Sequence, residues 1–403
     1  MRIAFVTPLL GDGFGMERAV NDSAELLREA GHETVFLTSK FLGSRSLGNS
    51  QVKVLEGLSS IYLTTRPSQF LGLHKEAMDF LLKVRPDVVH FADQFDFRLV
   101  HQVTGRFPVL LTAHTVAPSC PASTRYLQGA GVCQYKSGWR CLNHSHRFGC
   151  LGFLKNDLHR SLAIANYLTR RFSFRRRAHI AAISRFVQET LLQDGWHKSR
   201  VGLVYNPVKT PKGINPLPDS PNNLLVVATR LVPLKGIECA LQALAPLREM
   251  DWSLWICGDG PLRKALESLA ASLDISDRVT FRGSVPHEEL MRIFASAKAL
   301  LQTNLGPEGF GLSVAEASAV GAPVVAFRIP ALDELIEHGK TGLLVERGNL
   351  PALTATIRQV LTSSDFRRQC KIDGPANIGS KFSPKAHLKA TLDLYERALN
   401  SAL

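Results

Sequence analysis

The chain has 403 residues, with 48 Lys and Arg against 35 Asp and Glu, a net charge of +13, and 45% hydrophobic residues. At roughly 150 residues per domain this length predicts about two domains. The composition excludes a disordered chain, a collagen and a disulfide-stapled miniprotein. The sequence contains no run of roughly 18 apolar residues, so no membrane-spanning helix is predicted. Residues 1–8 have too short an apolar stretch for a signal peptide and predict a first strand, so we expect a cytoplasmic protein.

Strand and helix patterns alternate through the first half of the chain. Short β-branched runs predict strands at residues 2–7, 34–38, 87–90, 109–112, 180–183 and 201–205. Helical periodicity between them predicts helices at residues 17–29, 69–84 and 156–173. Residues 210–223, which contain four prolines, then predict a linker.

The second half repeats the same alternation. Strands are predicted at residues 224–228, 254–257, 279–281, 299–302, 323–327 and 342–345, and helices at 236–248, 262–273, 288–296 and 312–320. Such alternation is typical of parallel sheets covered by helices on both faces. We therefore expect an N-terminal domain at 1–206, a C-terminal domain at 207–383, and a helix at 384–403 whose predicted packing partner is the first domain.

The most informative motif is a Gly-rich segment that enters a helix in the second half. Glu308 and Glu316 lie eight positions apart, with Gly309 and Gly311 between them. The glycines allow the backbone to approach a ligand closely, and the first turn of the helix presents free amides to a phosphate. Glu308 can accept hydrogen bonds from sugar hydroxyls, and Glu316 can hold the cis-diol of a ribose.

Two further loops follow predicted strands of the same half. Arg230 and Lys235 come after the strand at 224–228, and a guanidinium with an ammonium suits a pyrophosphate. Gly258 and Gly260 come after the strand at 254–257 and predict another turn of close approach. Because the carboxyl ends of parallel strands meet at one edge of a sheet, these loops are expected to form one ligand site.

Together these motifs resemble the retaining glycosyltransferases of family 4, over nearly the whole chain. The resemblance implies a GT-B fold, in which two Rossmann-like domains face each other across a cleft. It implies that Glu308 contacts the transferred sugar, that Glu316 binds the ribose, and that Arg230 and Lys235 hold the diphosphate. The full set implied for the donor is Gly15, Arg230, Lys235, Gly258, Gly260, Glu308, Gly309, Phe310, Gly311, Leu312 and Glu316.

The first half carries weaker parts of the same resemblance. Residues 11–18, which include Gly15, resemble the family's Gly-Gly-x-Glu-Arg loop, although Phe14 replaces the first glycine of that pair. Thr229 likewise stands where the family has a glycine before Arg230. His114 matches a family histidine near the reacting sugar, and completes the implied catalytic set with Glu308, Arg230 and Lys235. Ser184 stands where the family has another cleft-lining residue.

The chemistry implied is metal-free transfer from a nucleotide sugar. The leaving diphosphate gains negative charge as the glycosidic bond breaks, and fixed cations facing it lower the barrier. Many glycosyltransferases use a metal held by Asp-x-Asp, and this sequence has no Asp-x-Asp. The family resemblance implies retention of anomeric configuration by attack from the leaving-group face, without a covalent nucleophile and without a required cofactor.

Basic residues are concentrated between positions 125 and 185, where twelve Lys and Arg accompany a single acid, Asp157. Aromatic residues are interleaved with them, a combination typical of contact with an anionic membrane surface. Arg170, Arg171, Arg175, Arg176 and Arg177 are the candidates for the acceptor and membrane side. Nucleic acid and a solvated face without a partner are the competing interpretations; no nucleic-acid motif accompanies the charge, so we expect no nucleic acid partner.

Four of the seven cysteines fall in a cysteine-rich insert, residues 118–150: Cys120, Cys133, Cys141 and Cys150. A cytoplasmic location argues against disulfides. The thiols either bind a structural zinc ion or stay unligated in an irregular loop. Their spacings lack the Cys-x-x-Cys pairs of common zinc sites, which slightly favours unligated thiols.

The resulting hypothesis is an enzyme that moves a sugar from a UDP- or GDP-sugar to a lipid-linked or polysaccharide acceptor, at the cytoplasmic face of a membrane. One alternative is a dinucleotide-dependent oxidoreductase, suggested by Gly11, Gly13 and Gly15. Its fingerprint lacks the last glycine and the acidic residue after the second strand. The other alternative is a non-catalytic protein that binds nucleotide sugars.

Overall fold

A computed structural model describes residues 1–11, 15–42, 47–58, 71–92, 97–122, 125–127, 131–151, 157–171, 175–211 and 213–401. The chain divides into two compact units, Met1–Pro207 with Pro384–Leu403, and Val208–Ser383. Each unit is built on a parallel β-sheet, and helices occupy most of the connections between its strands.

The first unit contains a seven-stranded sheet. Its described strands are β1 (Arg2–Gly11), β2 (Glu33–Leu42), β3 (Gln51–Val54), β4 (Val88–Ala92), β5 (Val109–Ala113), β6 (Tyr126–Leu127), β7 (Gly131–Val132), β8 (His179–Ala182) and β9 (Val201–Leu203). The sheet order is β3-β2-β1-β4-β5-β8-β9, whereas β6 and β7 form a separate antiparallel hairpin. The connecting helices are α1 (Gly15–Glu29), α2 (Leu71–Val84), α3 (Phe97–Thr104), α4 (Arg140–Arg147), α5 (Asp157–Arg171) and α6 (Arg185–Gln193).

Two features of this sheet differ from the sequence prediction. The pattern does not predict β3, an edge strand whose four residues are exposed or only half-buried. β1 continues past the predicted end at residue 7, and its pairing with β2 resumes at Leu9. Pro8 has no N–H to donate to a neighbouring strand, so the sequence pattern predicts that the strand ends before it. The proline interrupts the pairing at one position and does not end the strand.

The second unit contains a six-stranded parallel sheet with the order β12-β11-β10-β13-β14-β15. Its strands are β10 (Leu224–Ala228), β11 (Ser253–Cys257), β12 (Val279–Gly283), β13 (Ala299–Gln302), β14 (Val324–Phe327) and β15 (Gly342–Val345). Its helices are α7 (Ile237–Leu244), α8 (Arg263–Ser272), α9 (His287–Ser296), α10 (Leu312–Ala319), α11 (Leu332–Leu335), α12 (Leu350–Thr362) and α13 (Ser364–Lys381). None of the helices in the described residues combines the length and apolarity needed to cross a membrane.

The last helix, α14 (Pro384–Asn400), belongs to the core of the first unit. Leu394 and Tyr395 are fully buried there, in the same apolar cluster as Ile3 and Phe5 of β1. The Tyr395 hydroxyl lies 2.7 Å from Nδ1 of His90. Because these contacts join positions about 300 residues apart in sequence, the first unit is complete only with this C-terminal helix.

Three histidines line one pocket of the first unit: His90 is buried, and His114 and His387 are half-buried. Burial, with smaller contributions from the other two imidazoles, lowers the pKa of His90 to about 3. Burial likewise lowers the pKa of His387 to about 4, although this ring contacts the Tyr205 carbonyl at 2.7 Å. At neutral pH all three rings are therefore uncharged, and the packing of α14 depends on that state.

This burial predicts loss of stability in acid. The unfolded chain binds protons near pH 6.5 and the folded chain only near 3 to 4, so the free energy of unfolding is highest above pH 6.5 and falls as the pH drops. We expect a loss on the order of 1 kcal/mol per pH unit for each imidazole. Urea unfolding of the first unit at several pH values should show a smaller slope in His387→Gln than in wild type. His101→Gln, an exposed change on α3, is the control; equal slopes in wild type and His387→Gln would contradict the prediction.

Candidate functional site

The candidate site lies at the carboxyl ends of the central strands of the second unit. β10 ends just before Thr229 and Arg230, and β13 ends just before the loop that holds Glu308. β10 and β13 are neighbours in the sheet but not consecutive in the chain. Such a switch point in strand order leaves a crevice for ligands at the carboxyl ends.

The central contact of the site joins Lys235 to Glu308. Lys235 Nζ donates to Glu308 Oε2 at 2.7 Å, and Asn304 Nδ2 donates to the same oxygen at 2.7 Å. Both charged side chains are 21% exposed, so the pair is accessible to a ligand but largely shielded from water. Partial burial strengthens the attraction between the two charges relative to a surface pair.

Asn304 is a site residue that the sequence patterns do not identify. It is 2% exposed, and its Oδ1 accepts from Nε2 of Gln302, which is 3% exposed, at 3.1 Å. Gln302 ends β13, so the chain Gln302–Asn304–Glu308 fixes the carboxylate to the end of a buried strand. The available signal was a run of polar residues directly after an apolar strand, at the edge where ligands bind.

The loops that carry Lys235 and Glu308 are tied to each other through the backbone. The amides of Leu305 and Gly306 both donate to the Leu234 carbonyl, at 3.0 and 3.2 Å. The Thr303 hydroxyl donates to the Gly236 carbonyl at 2.8 Å and is buried. The ammonium and the carboxylate are thus held together by main-chain contacts as well as by their own charges.

Glu316 is positioned by a second contact, with His287. It is the fifth residue of α10 and 7% exposed, and His287 Nε2 lies 3.2 Å from its Oε1. His287 begins α9, directly after the turn that follows β12. The sequence prediction assigned Glu316 to a ribose and did not identify His287, which contacts one of its two carboxylate oxygens.

The turn into α10 has the shape expected of a close-approach segment, with one difference. Gly311 has a φ of 96°, and a Cβ there would lie 2.7 Å from a methyl carbon of Leu332, so only glycine fits. The Phe310 ring, however, is buried and packs edge-on against Phe382, with centroids 5.5 Å apart. Its side chain is therefore part of the core, while Gly309 and Leu312 on either side are half-buried.

The turn after β11 packs closely against the backbone of the loop that follows β10. Gly258 has a φ of 144°, and a Cβ there would lie 1.9 Å from the Thr229 carbonyl oxygen. The Leu231 amide donates to the Asp259 carbonyl at 3.0 Å, just before Gly260. The close approach predicted at Gly258 and Gly260 is thus to the loop after β10, which these contacts shape.

Arg230 is exposed at the tip of that loop. Within the described residues no ion pair joins it to Glu308 or Glu316. The structure therefore brings Lys235 and Glu308 into direct contact and leaves the Arg230 guanidinium accessible to an anion.

In the first unit, His114 directly follows β5 and lines the histidine pocket. Burial, and secondarily His387, lowers the pKa of His114 to about 4. A neutral imidazole can donate or accept one hydrogen bond at each nitrogen. His114 can therefore contact a hydroxyl group but does not supply a positive charge.

Two other predictions in the first unit have different outcomes. Gly15 is the first residue of α1, and residues 12–14 of the predicted loop lie outside the described residues. Ser184 is fully buried, and its Oγ accepts from the Val187 amide at 3.2 Å as the N-cap of α6. The expectation that Ser184 lines a cleft is therefore wrong for its side chain.

The predicted basic face is only partly exposed. Arg175 is 7% exposed, donates to the Asp194 carboxylate, and lies over the Trp196 ring. Its assignment to the membrane side is wrong, because the guanidinium is used inside the fold. Arg176 and Arg177 are exposed. Arg170 and Arg171 lie on α5, and the structure does not describe their side chains.

The four cysteines of the insert are partly exposed and line a common pocket. Burial raises the pKa of the Cys150 thiol to about 11, and the other three thiols add to the increase. Among the described residues no group of three His, Cys, Asp or Glu side chains has the arrangement of an assembled metal site.

Comparison with known proteins places the two halves of the chain in related families. The model for "Glycosyltransferase Family 4" matches residues 15–212, and that for "Glycosyl transferases group 1" matches residues 212–376. A GDP-mannose-dependent alpha-(1-6)-phosphatidylinositol monomannoside mannosyltransferase of Mycolicibacterium smegmatis is 35% identical over 36% of this chain and 40% of its own length. A D-inositol 3-phosphate glycosyltransferase of Corynebacterium urealyticum is 36% identical over 41% of each chain. The chain thus spans about two fifths of the length of the curated relatives it matches.

Solved structures match along the whole chain at lower identity. Anabaena HepE in complex with UDP and glucose has a TM-score of 0.71 at 17% identity, with 98% of both chains covered. Sucrose-phosphate synthase from Thermosynechococcus elongatus has a TM-score of 0.75 at 19% identity, with 99% of both covered. At such identities the likeness concerns the fold alone, and it confirms the predicted GT-B fold of two Rossmann-like domains.

The two family models meet at residue 212, close to the boundary between the two compact units, and together they span residues 15–376. This continuous match, on two parallel sheets of the predicted fold, shows that the chain belongs to the group 1, family 4 glycosyltransferases.

Proposed function

We propose that the protein transfers a sugar from a UDP- or GDP-sugar to a lipid-linked or polysaccharide acceptor, with retention and without a metal, in cell-envelope or exopolysaccharide biosynthesis. The observation that carries the proposal is the Lys235–Glu308 contact at a strand switch point, supported by Asn304. The names of the relatives support the donor class, since one is GDP-mannose-dependent and a structural neighbour holds UDP and glucose. The proposed location is the cytoplasmic face of a membrane.

In the proposed donor complex, Arg230 and Lys235 bind the diphosphate, together with the amides at the start of α10. Lys235 then changes partner, from the Glu308 carboxylate to a phosphate oxygen. Asn304 keeps its hydrogen bond to Glu308, so the carboxylate is not left without a donor when the ammonium moves. Donor binding thereby becomes coupled to the freeing of Glu308 for the sugar.

The sugar step follows from this exchange. Glu308 accepts hydrogen bonds from sugar hydroxyls and fixes the ring. The bond between the anomeric carbon and the diphosphate oxygen breaks, and the acceptor oxygen bonds to that carbon on the same face. The acceptor proton passes to the departing phosphate oxygen, whose growing charge is stabilised by Arg230 and Lys235.

Glu316 and His114 have supporting roles in the proposal. His287 holds one oxygen of Glu316 and so orients the carboxylate towards the ribose hydroxyls, which donate to it. His114 contributes a hydrogen bond from a neutral ring to a hydroxyl of the reacting sugar. Neither residue supplies charge to the leaving group, so both should affect binding and positioning more than leaving-group stabilisation.

Family membership excludes the dinucleotide-dependent oxidoreductase considered as an alternative. The non-catalytic binding protein remains distinguishable by experiment, because only an enzyme releases free nucleoside diphosphate. Metal independence is proposed from the absence of an Asp-x-Asp motif in the sequence and from the cations that can replace the metal.

The proposed acceptor side includes an anionic membrane surface. Arg176 and Arg177 are exposed, and the insert exposes Trp139 by 64% beside the exposed Lys136 and Arg140. An aromatic ring flanked by cations suits a headgroup region that contains acidic lipids, since the ring enters the interface while the charges contact phosphate.

Replacing Glu308 tests the central contact. We expect Glu308→Ala to reduce kcat/KM by about 10²- to 10³-fold, because the carboxylate that fixes the sugar is lost. The free energy of unfolding should fall by only about 1 kcal/mol, because Lys235 loses its carboxylate partner but is still 21% exposed to solvent. The measurement is nucleoside diphosphate release from a UDP- and GDP-sugar panel with membrane-extract acceptors. Glu249→Ala, at an exposed ion pair in the same unit, should retain activity; full turnover in Glu308→Ala would rule out the assignment.

Removing divalent metal tests the role of the cations. With Arg230 and Lys235 in place of a metal, turnover should be unchanged after brief treatment with EDTA and after addition of Mg²⁺. Lys235→Met should lower kcat by about 10²-fold or more, because a charge facing the leaving group is lost. Turnover that disappears with EDTA and returns with Mg²⁺ would contradict the metal-free mechanism.

Sedimentation with liposomes tests the membrane surface. The wild type should bind vesicles containing anionic lipid more tightly than neutral vesicles, and less tightly as salt increases. Arg176→Glu with Arg177→Glu should weaken the binding, since each basic contact contributes about 1 kcal/mol. Arg368→Glu with Lys371→Glu, an equal charge change on α13, is the matched control. Equal binding to both kinds of vesicle would remove the electrostatic argument.

A further inference from the structure

The cysteine-rich insert forms a pocket that the proposed reaction does not use. Its lining includes the sulfur-bearing residues Cys120, Cys133, Cys141 and Cys150, together with Arg125. The other three cysteines of the chain are buried singly in the second unit: Cys239, Cys257 and Cys370. Four thiols from one short segment thus share a pocket in a protein whose remaining thiols are apart.

Each of the four thiols is delivered by a different local structure. Cys120 caps the 3₁₀ turn Ala117–Ser119, and Cys133 directly follows the hairpin strand β7. Cys141 is the second residue of α4, and Cys150 follows the end of that helix. A turn, a hairpin and the two ends of a helix therefore each place one cysteine at the same pocket.

The insert is fastened to the rest of the first unit at a buried point. The Ser137 amide donates to Asp194 Oδ1 at 3.1 Å, and the Ser137 hydroxyl donates to the same carboxylate. Asp194 is in turn paired with Arg175. The chain between Cys133 and Cys141 is thereby held at its middle, so two of the thiols are presented from a fixed backbone.

Arg125 provides the second observation, because it is a buried cation with no anionic partner among the described residues. It is 4% exposed, with a left-handed φ of 47°, and donates to the carbonyls of Cys133 and Tyr135 at 3.1 and 3.0 Å. Its Nη1 is buried without a hydrogen-bond partner. Among the described residues no carboxylate pairs with it, and residues 118–150 contain no Asp or Glu at all. A buried, uncompensated charge is costly, and buried charges are normally paired.

We propose that Cys120, Cys133, Cys141 and Cys150 bind one zinc ion as thiolates, and that Arg125 is the buried counter-charge of this centre. Four thiolates around Zn²⁺ carry a net charge of −2, which places an anion beside the Arg125 guanidinium. Thiolates are the anions that this segment can supply. The four thiol protons leave as four sulfur–zinc bonds form, so no oxidant or reductant is needed.

One contact to sulfur already has the form that supports a metal ligand. The Gly138 amide donates to Cys141 Sγ at 3.5 Å, and amides directed at a sulfur stabilise its thiolate. Because no three of the side chains yet form a metal site, binding draws the sulfurs inward from their common pocket. A single zinc ion needs only the four sulfurs, whereas an iron–sulfur cluster would also need inorganic sulfide.

The test is metal analysis of the full chain purified without chelator from zinc-supplemented cells. We expect about one zinc per chain and no visible absorption. A mercurial reagent that blocks thiols should release the zinc, as detected with a chromogenic chelator. Cobalt exchanged into the site should show the visible bands of tetrahedral thiolate ligation.

Variants separate the site from general loss of fold. Cys133→Ser and Cys141→Ser should lose the zinc, whereas Cys239→Ala, in the second unit, should keep it. Arg125→Met should release zinc to a competing chelator faster than Arg125→Lys, because only the second variant keeps the counter-charge. Circular dichroism and a cooperative unfolding transition of the full chain serve as the folding control for every variant.

Three outcomes would overturn the proposal: a folded chain without zinc that also takes up none from solution, iron with visible absorption, or zinc that persists in Cys133→Ser and Cys141→Ser. The metal content is measured without turnover. A zinc-bearing chain with no transfer activity would therefore count against the proposed function alone, and an active, zinc-free chain against the zinc site alone.

Discussion

The candidate site in the second unit is built around one part-buried charge pair, Lys235 with Glu308. The pair lies where two strands that are not consecutive meet in the sheet, and the loops on which it stands are joined through their backbones. Removing either partner would leave the other charge in a partly desolvated place. Asn304 changes that constraint, because its amide holds the same carboxylate oxygen as the ammonium does. In the proposed donor complex the ammonium moves to a phosphate oxygen while the carboxylate keeps its hydrogen bond from Asn304.

The fold was predictable because its signals are local and repeated. Strand–helix alternation predicts parallel sheets, and the linker composition predicts a division into two parts. The errors have physical causes: β3 is an edge strand with little burial, and β1 continues past Pro8. The order of strands in each sheet depends on pairings between distant segments, such as Ile3 with Val88 and Leu225 with Ala299. The contact of Tyr395 with His90 joins residues 305 positions apart. No local pattern encodes those contacts.

The candidate site was predictable in its charged residues and not in its supporting ones. Glu308 and Lys235 follow from motif spacing and are in contact in the structure. Asn304 and His287 act through tertiary contacts, and neither residue type stands out in its own segment. Gly258 shows the converse limit, since a glycine needed for close approach does not reveal what approaches, and here it is the chain's own carbonyl.

Composition also could not separate basic residues on the surface from those inside. Arg175 and Arg125 both come from the most basic stretch of the sequence, and both are buried. Burial of a guanidinium is costly unless it is paired, and Arg175 is paired with Asp194. Among the described residues, Arg125 donates to two carbonyl oxygens and shares its pocket with four cysteines. Buried charges are normally paired, and a thiol becomes an anion when it binds a metal. The requirement that Asp194 meets for Arg175 is therefore met for Arg125, in our proposal, by the zinc-bound thiolates.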